Sequence, residues 1–144
     1  MVKKYQTFFG GFSMARRKSK TLTNLELLIM QILWNHEERS VEEIRQDLKK
    51  QGRDLALPSV RTMLSILQNK GYATRRKIGR GHIYRAIVPR EKARKNILRD
   101  LVDRAFEGSA MNLVAALVDT SMVSEKDLTK VKALIKDYEK EGKQ

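Results

Sequence analysis

No cysteine occurs anywhere in the 144 residues of this chain. Disulfides, thiolate metal sites and cysteine nucleophiles are therefore excluded, and a reducing cytoplasm is the expected home. No stretch approaches the roughly 20 apolar residues that a membrane-spanning helix requires. Lys3 and Lys4 stand near the start, but only Phe8–Phe12 follows, broken by Gly10 and Gly11, which is not the apolar region of a signal peptide. Met14 reads as an alternative first residue. Catalysis finds no foothold either. His36 and His82 fall in different parts of the chain with no nucleophile pattern beside them, and neither a phosphate-cradling glycine loop nor a zinc-binding HExxH helix is present. No enzyme activity, metal or cofactor is expected.

Acid is also missing, and from particular places. Residues 1–20 carry Lys3, Lys4, Arg16, Arg17, Lys18 and Lys20 and no Asp or Glu. Residues 55–90 carry Arg61, Lys70, Arg75, Arg76, Lys77, Arg80, Arg85 and Arg90, again with none, while beyond Glu91 the signs nearly balance. The formal net charge of +13 is thus concentrated in two segments, the footprint of a polyanionic partner. These cations do not form the polar face of one amphipathic helix, which argues against a membrane surface.

The apolar pattern defines the elements between those charges. Residues 1–21 show no sustained periodicity and read as a flexible basic arm. Thr23 and Glu26 have the spacing of a capping box, and Leu25, Leu28, Ile29, Ile32 and Leu33 then recur at helical intervals over residues 24–35, with Trp34 packing on the core. His36 falls at the helix C-terminus, where a cation is favoured. Ser40 and Glu43 open a second helix burying Val41, Ile44 and Leu48 and stopping at Gly52. Leu57-Pro58 opens a third, with Val60, Met63, Leu64 and Leu67 inward and Gly71 as its stop. The period then changes from helical to alternating. Residues 72–78 and 82–88 read as two strands joined by Gly79-Arg80-Gly81. Pro89 begins a helix with Ile97, Leu98, Leu101, Val102, Ala105 and Phe106, and Leu113 to Val118 suggest a short one. Ser124 and Asp127 cap a last helix whose Leu128, Val131, Ile135 and Tyr138 form a coiled-coil-like seam.

The expected fold is mainly α with a small β-hairpin: a winged helix-turn-helix head over residues 22–88 and a C-terminal helical dimerisation tail over 89–144. The third helix is the candidate reader, with Pro58, Ser59, Arg61, Thr62 and Ser65 on its acid-free face. The hairpin is the candidate wing, with Arg75, Arg76, Lys77 and Arg80 directed to phosphate and Tyr84 beside them. Leu98, Leu101, Val102 and Phe106, with Leu128, Val131, Ile135 and Tyr138, are the candidate dimer seams. A palindromic double-stranded operator read by a homodimer is the leading reading. Non-specific nucleic-acid binding is the alternative, and a pure protein-interaction module leaves the third helix unexplained.

The run Leu22-Thr23-Asn24-Leu25-Glu26 to Ile32-Leu33-Trp34, then Val60-Arg61-Thr62-Met63-Leu64, Lys70-Gly71-Tyr72 and Gly79-Arg80-Gly81-His82-Ile83-Tyr84 resembles the penicillinase-repressor (BlaI/MecI-type) family. The similarity spans about residues 22–140 in order and spacing. It implies a winged-helix repressor that binds palindromic operators as a homodimer through C-terminal helices. Copper-responsive members of the family end in a cysteine-rich metal site, which this chain cannot form. Antibiotic-responsive members are inactivated by a regulatory protease at an Asn-Phe bond. Ala116-Leu117 stands there in this chain and departs from that pattern, as does the basic arm.

Overall fold

The computed structural model describes residues 21–142, and the arm expected over residues 1–21 lies, except for Thr21, outside them. The elements in chain order are α1 (Asn24–Asn35), β1 (Arg39–Ser40), α2 (Val41–Lys50), α3 (Leu57–Asn69), β2 (Ala73–Ile78), β3 (Gly81–Ala86), α4 (Arg90–Ala105), α5 (Ala110–Asp119) and α6 (Glu125–Lys140). They divide into two compact units that meet within α4, between Ile97 and Leu98. The first unit thus runs past residue 88, because Ala93 is fully buried in its core and Asn96 Nδ2 lies 3.5 Å from the Tyr72 hydroxyl.

In the first unit the apolar stripes close on one another as their spacing requires. Ile29, Met30, Ile32 and Leu33 of α1 meet Ile44 and Leu48 of α2 and Val60, Leu64 and Leu67 of α3, with Tyr72, Ala73, Tyr84 and Ala93 completing the core. Trp34 packs at its edge and its Nε1 donates to the Val88 carbonyl at 2.8 Å. Capping boxes form at Thr23–Glu26 and Ser40–Glu43, each with both reciprocal bonds. At the end of α3, Gly71 takes φ +81°, which lets the Tyr72 amide donate back to the Leu67 carbonyl at 2.9 Å. That left-handed residue turns the chain straight from α3 into the sheet.

The sheet has three antiparallel strands in the order β1-β3-β2, one more than the alternation predicts. β1 is only two residues long, pairing Arg39 with Tyr84 and Ser40 with Ile83, and Ser40 is also the N-cap of α2. A strand of that length leaves no periodic trace. β2 and β3 pair from Ala73–Ala86 to Ile78–Gly81, so the turn is Gly79-Arg80, with Gly79 at φ +57°.

One acid is buried. Glu26, 3% exposed, is the only buried polar or charged residue among those described. Its Oε1 accepts from Lys70 Nζ at 2.7 Å and from the Thr23 amide at 3.1 Å, while Lys70 also donates to the Thr21 carbonyl at 2.9 Å. The same carboxylate therefore caps the start of α1 and holds the C-cap residue of α3.

The second unit holds the rest of α4 with α5 and α6. Ser109 caps α5, and Ser124 and Asp127 form a capping box on α6. None of its described residues is buried. Leu98, Leu101, Val131, Ile135 and Tyr138 are exposed, Val102, Phe106 and Leu128 half-exposed, and Met111, Val114, Val118, Met122 and Leu134 add further apolar surface. Ala116 and Leu117 lie within α5, not in extended chain.

Replacing Lys70 by Met strands the Glu26 carboxylate without its cation in the core edge. We expect Lys70→Met to lose about 3–5 kcal/mol in urea unfolding, and Glu26→Met with Lys70→Met to recover most of it, because a buried pair is costly to break but not to replace. A single substitution costing less than 1 kcal/mol, on the order of a surface ion pair, contradicts this role.

Candidate nucleic-acid interface

The alternation of β2 and β3 sorts the wing's cations onto two faces. Arg75 pairs with Tyr84 and Lys77 with His82, so these four share one face, while Arg76, opposite Ile83, lies on the other with Arg85. The first face looks onto α3. Between them lies an open cleft of about 450 Å³, lined by Arg61 and Ser65 of α3, Arg75 and His82 of the strands, Arg80 of the turn and the start of α2 at Ser40 to Glu42.

On α3 the exposed residues Pro58, Ser59, Arg61, Thr62 and Ser65 stand opposite the buried Val60, Leu64 and Leu67. Of these, Arg61 and Ser65 line the cleft itself. The Thr62 hydroxyl donates to the Pro58 carbonyl at 3.0 Å, which leaves its methyl and oxygen lone pairs to face outward. Arg61, Lys77, Arg80 and Arg85 have no ion-pair partner among the described residues. Of these, Arg61 and Arg80 line the cleft, whose one acid, Glu42, pairs with Arg45 instead.

Two of the expected DNA-contacting residues have other surroundings. Tyr84 is 2% exposed and belongs to the core, with only its edge lining the cleft. Its hydroxyl instead accepts from Arg75 Nη1 at 3.3 Å and steadies that side chain at the cleft. Arg76 is clasped by Glu38, with Nε to Oε2 at 2.7 Å and Nη2 to Oε1 at 2.8 Å. The acid comes from the chain before β1, which is why the acid-free stretch around Arg76 conceals it. Conversely, His82 and the start of α2 join the cleft although neither stands among the expected site residues. Strand alternation pairs His82 with Lys77 and could have found it; no local signal marks the α2 contribution.

Three helices followed by a hairpin, with the third helix and the hairpin flanking one basic cleft, define a winged-helix DNA-binding fold. The chain belongs to the penicillinase repressor family, whose sequence profile matches residues 22–137. It is accordingly a DNA-binding transcriptional repressor. Over 114 residues it is 26% identical to an uncharacterized 16.5 kDa protein of Latilactobacillus sakei, covering 79% of this chain and 77% of that one. Over 118 residues it is 20% identical to the methicillin resistance regulatory protein MecI of Mammaliicoccus sciuri, covering 82% of this chain and 95% of that one. Among solved structures, it is similar to the DNA binding domain of the repressor BlaI at 25% identity and a TM-score of 0.46, over 54% of this chain and 93% of that one.

The Glu38 carboxyl is held below the usual carboxylate range, first by its hydrogen bonds from Arg76; desolvation opposes these, and the charges of Arg76 and then Arg85 add to the lowering. A depressed acid favours the folded state above its unfolded value, and that contribution is lost as pH falls through the folded value. The clasp thus holds at neutral pH and opens only in acid. We expect the Glu38 side-chain carbon to titrate by NMR below the usual carboxylate range, and Arg76→Ala to move its midpoint back up. A midpoint that does not move in Arg76→Ala contradicts the clasp.

Proposed function

We propose that this repressor binds a palindromic operator as a homodimer in the cytoplasm, with α3 in the major groove and the β2–β3 wing on the flanking backbone. The observation that carries the reading is the convergence of Arg61, Arg75 and Arg80 on one cleft where none of them is ion-paired among the described residues, its Glu42 pairing with Arg45. In this reading Arg61 reaches a guanine in the first turns of α3, and the Thr62 methyl suits a thymine. Pro58, Ser59 and Ser65 lie along the groove floor. Arg75, Lys77 and Arg80 neutralise phosphates, and Arg76, clasped by Glu38, contributes less. Residues 89–144 form the dimerisation region, since apolar seams on α4 and α6 that nothing buries within the second unit are covered most simply by a second copy. Two heads would then read half-sites about one helical turn apart or a multiple of it.

Selection of bound duplexes from a random pool tests the whole reading. The expected result is one motif with two-fold symmetry; sequence-independent binding would favour the architectural alternative instead. Arg61→Ala should weaken operator binding by about 1–3 kcal/mol and relax the preference at one base position. Equal losses on operator and random duplex would make Arg61 a phosphate contact.

The wing gives a different signature. Arg80→Ala should weaken binding to all sequences and reduce the salt slope by about one unit, while Arg76→Ala should change the slope by less. Equal effects of the two variants would remove the distinction that the Glu38 clasp draws between the wing's faces.

Ile135→Asp places a charge in the α6 seam. It should shift the protein towards monomer in sedimentation and abolish tight operator binding while the head keeps its unfolding transition. If the unmutated chain sediments as a monomer at micromolar concentration, the dimer reading fails.

A further inference from the structure

A second, smaller cleft lies in the first unit, away from α3 and the wing. It has a volume of about 130 Å³ and is walled by Leu27, Gln31 and Trp34 of α1 and by Arg90, Arg94 and Ile97 of α4. Each set falls at intervals of three and four residues, so each is one stripe of its helix. The lining contains two cations and no acid. Arg90 is already positioned: its guanidinium stands 5.7 Å from the centre of the Trp34 ring and its Nη2 donates to Asn35 Oδ1 at 2.7 Å. Trp34 is fixed in turn by its bond to the Val88 carbonyl. Arg94, one turn further along α4, has no hydrogen-bonded or ion-paired partner among the described residues. A guanidinium without a partner, beside an indole and two aliphatic side chains, presents one half of a recognition pair.

We infer that this cleft binds a small aromatic carboxylate and that its occupancy lowers operator affinity. The charge calls for an anion, and the planar guanidinium of Arg94 matches a carboxylate in bidentate fashion. A bare inorganic anion would leave Trp34, Leu27 and Ile97 unused. The cleft is open to solvent, and its volume of about 130 Å³ has room beside the indole for an apolar part of one ring. The basic arm of the chain has the wrong sign to fill it. The effect on DNA rests on the repressor reading, because α4 continues from this cleft into the second unit, whose association that reading requires.

Trp34 is the sole tryptophan, so its emission reports on this cleft in the intact chain without any DNA present. With benzoate as the probe, we expect a saturable change in emission that is at least about tenfold weaker in affinity for Arg94→Gln, the loss of one charge-assisted bond. The neutral benzamide should not titrate in the same range, and circular dichroism should show the variant folded. An emission change that never saturates, that acetate reproduces, or that Arg94→Gln leaves intact overturns the site. Operator affinity measured at saturating benzoate should fall about fivefold or more. Unchanged affinity overturns the regulatory role, and a random-pool selection that yields no operator removes that role together with the repressor reading. The fluorescence result decides the site in either case.

Discussion

The orientation of α3 depends on one buried ion pair. Glu26 is the second half of a capping box, a task that any exposed glutamate performs at the start of a helix. Here the carboxylate is turned into the protein and meets Lys70 at 2.7 Å, at the residue where α3 ends. One oxygen, Oε1, thus serves a local role and a tertiary one. Lys70 in turn reaches the Thr21 carbonyl, so the point where the N-terminal arm joins the head is held by the same charge. With the last turn of α3 fixed against the first turn of α1, the Leu64 and Leu67 stripe has one way to face the core. The opposite face, Arg61 and Ser65, then has one way to face the wing.

That constraint also explains why so polar a face is tolerated on α3. The core below it is complete, since Val60, Leu64 and Leu67 are each fully buried. Arg61, Thr62 and Ser65 need contribute nothing to folding. Their identities are free to be set by what they contact, which is the condition for a reading surface. The wing meets the same condition differently. Its inward anchor is Tyr84, whose ring fills the core while its hydroxyl holds Arg75 at the cleft edge. Arg76, facing away, is neutralised by Glu38. One strand pair thus presents Arg75 to the cleft without an acid partner among the described residues, and on its other face Arg76 with one.

What the sequence made legible divides by range. The capping boxes at Thr23, Ser40 and Ser124 involve partners three residues apart, and each forms as its spacing predicts. The helical stripes and the alternating strands are local in the same sense. The Glu26–Lys70 and Glu38–Arg76 pairs are separated by 44 and 38 residues, and no local pattern couples their members. Tyr84 shows where local reasoning stops. Alternation places it on one face with His82, but which face meets the core is decided by α1, α2 and β1, whose Arg39 pairs with Tyr84 through a strand too short to predict. An aromatic side chain with a polar tip fits a phosphate or a core edge equally well by type alone. The residues of α3 were readable because a helix with a complete apolar stripe leaves its other face determined.

The second unit carries the remaining physical argument. Helices that bury no residue gain little from packing, and packing rather than propensity supplies most helix stability in globular proteins. Leu98, Leu101, Ile135 and Tyr138 remain about half exposed in the single chain. On the dimer reading, association and ordering of this unit are one event, so its stability rises with protein concentration while that of the head does not. The same event joins two heads into one ligand for DNA. A single head's contacts, weak alone, then act at the effective concentration set by the tail, and operator affinity gains without any new contact to a base. Coupling of this kind makes the tail a natural point of control. A change that loosens it by 1–2 kcal/mol, on the order of one poorly packed apolar side chain, would release DNA while leaving every base-contacting residue in place.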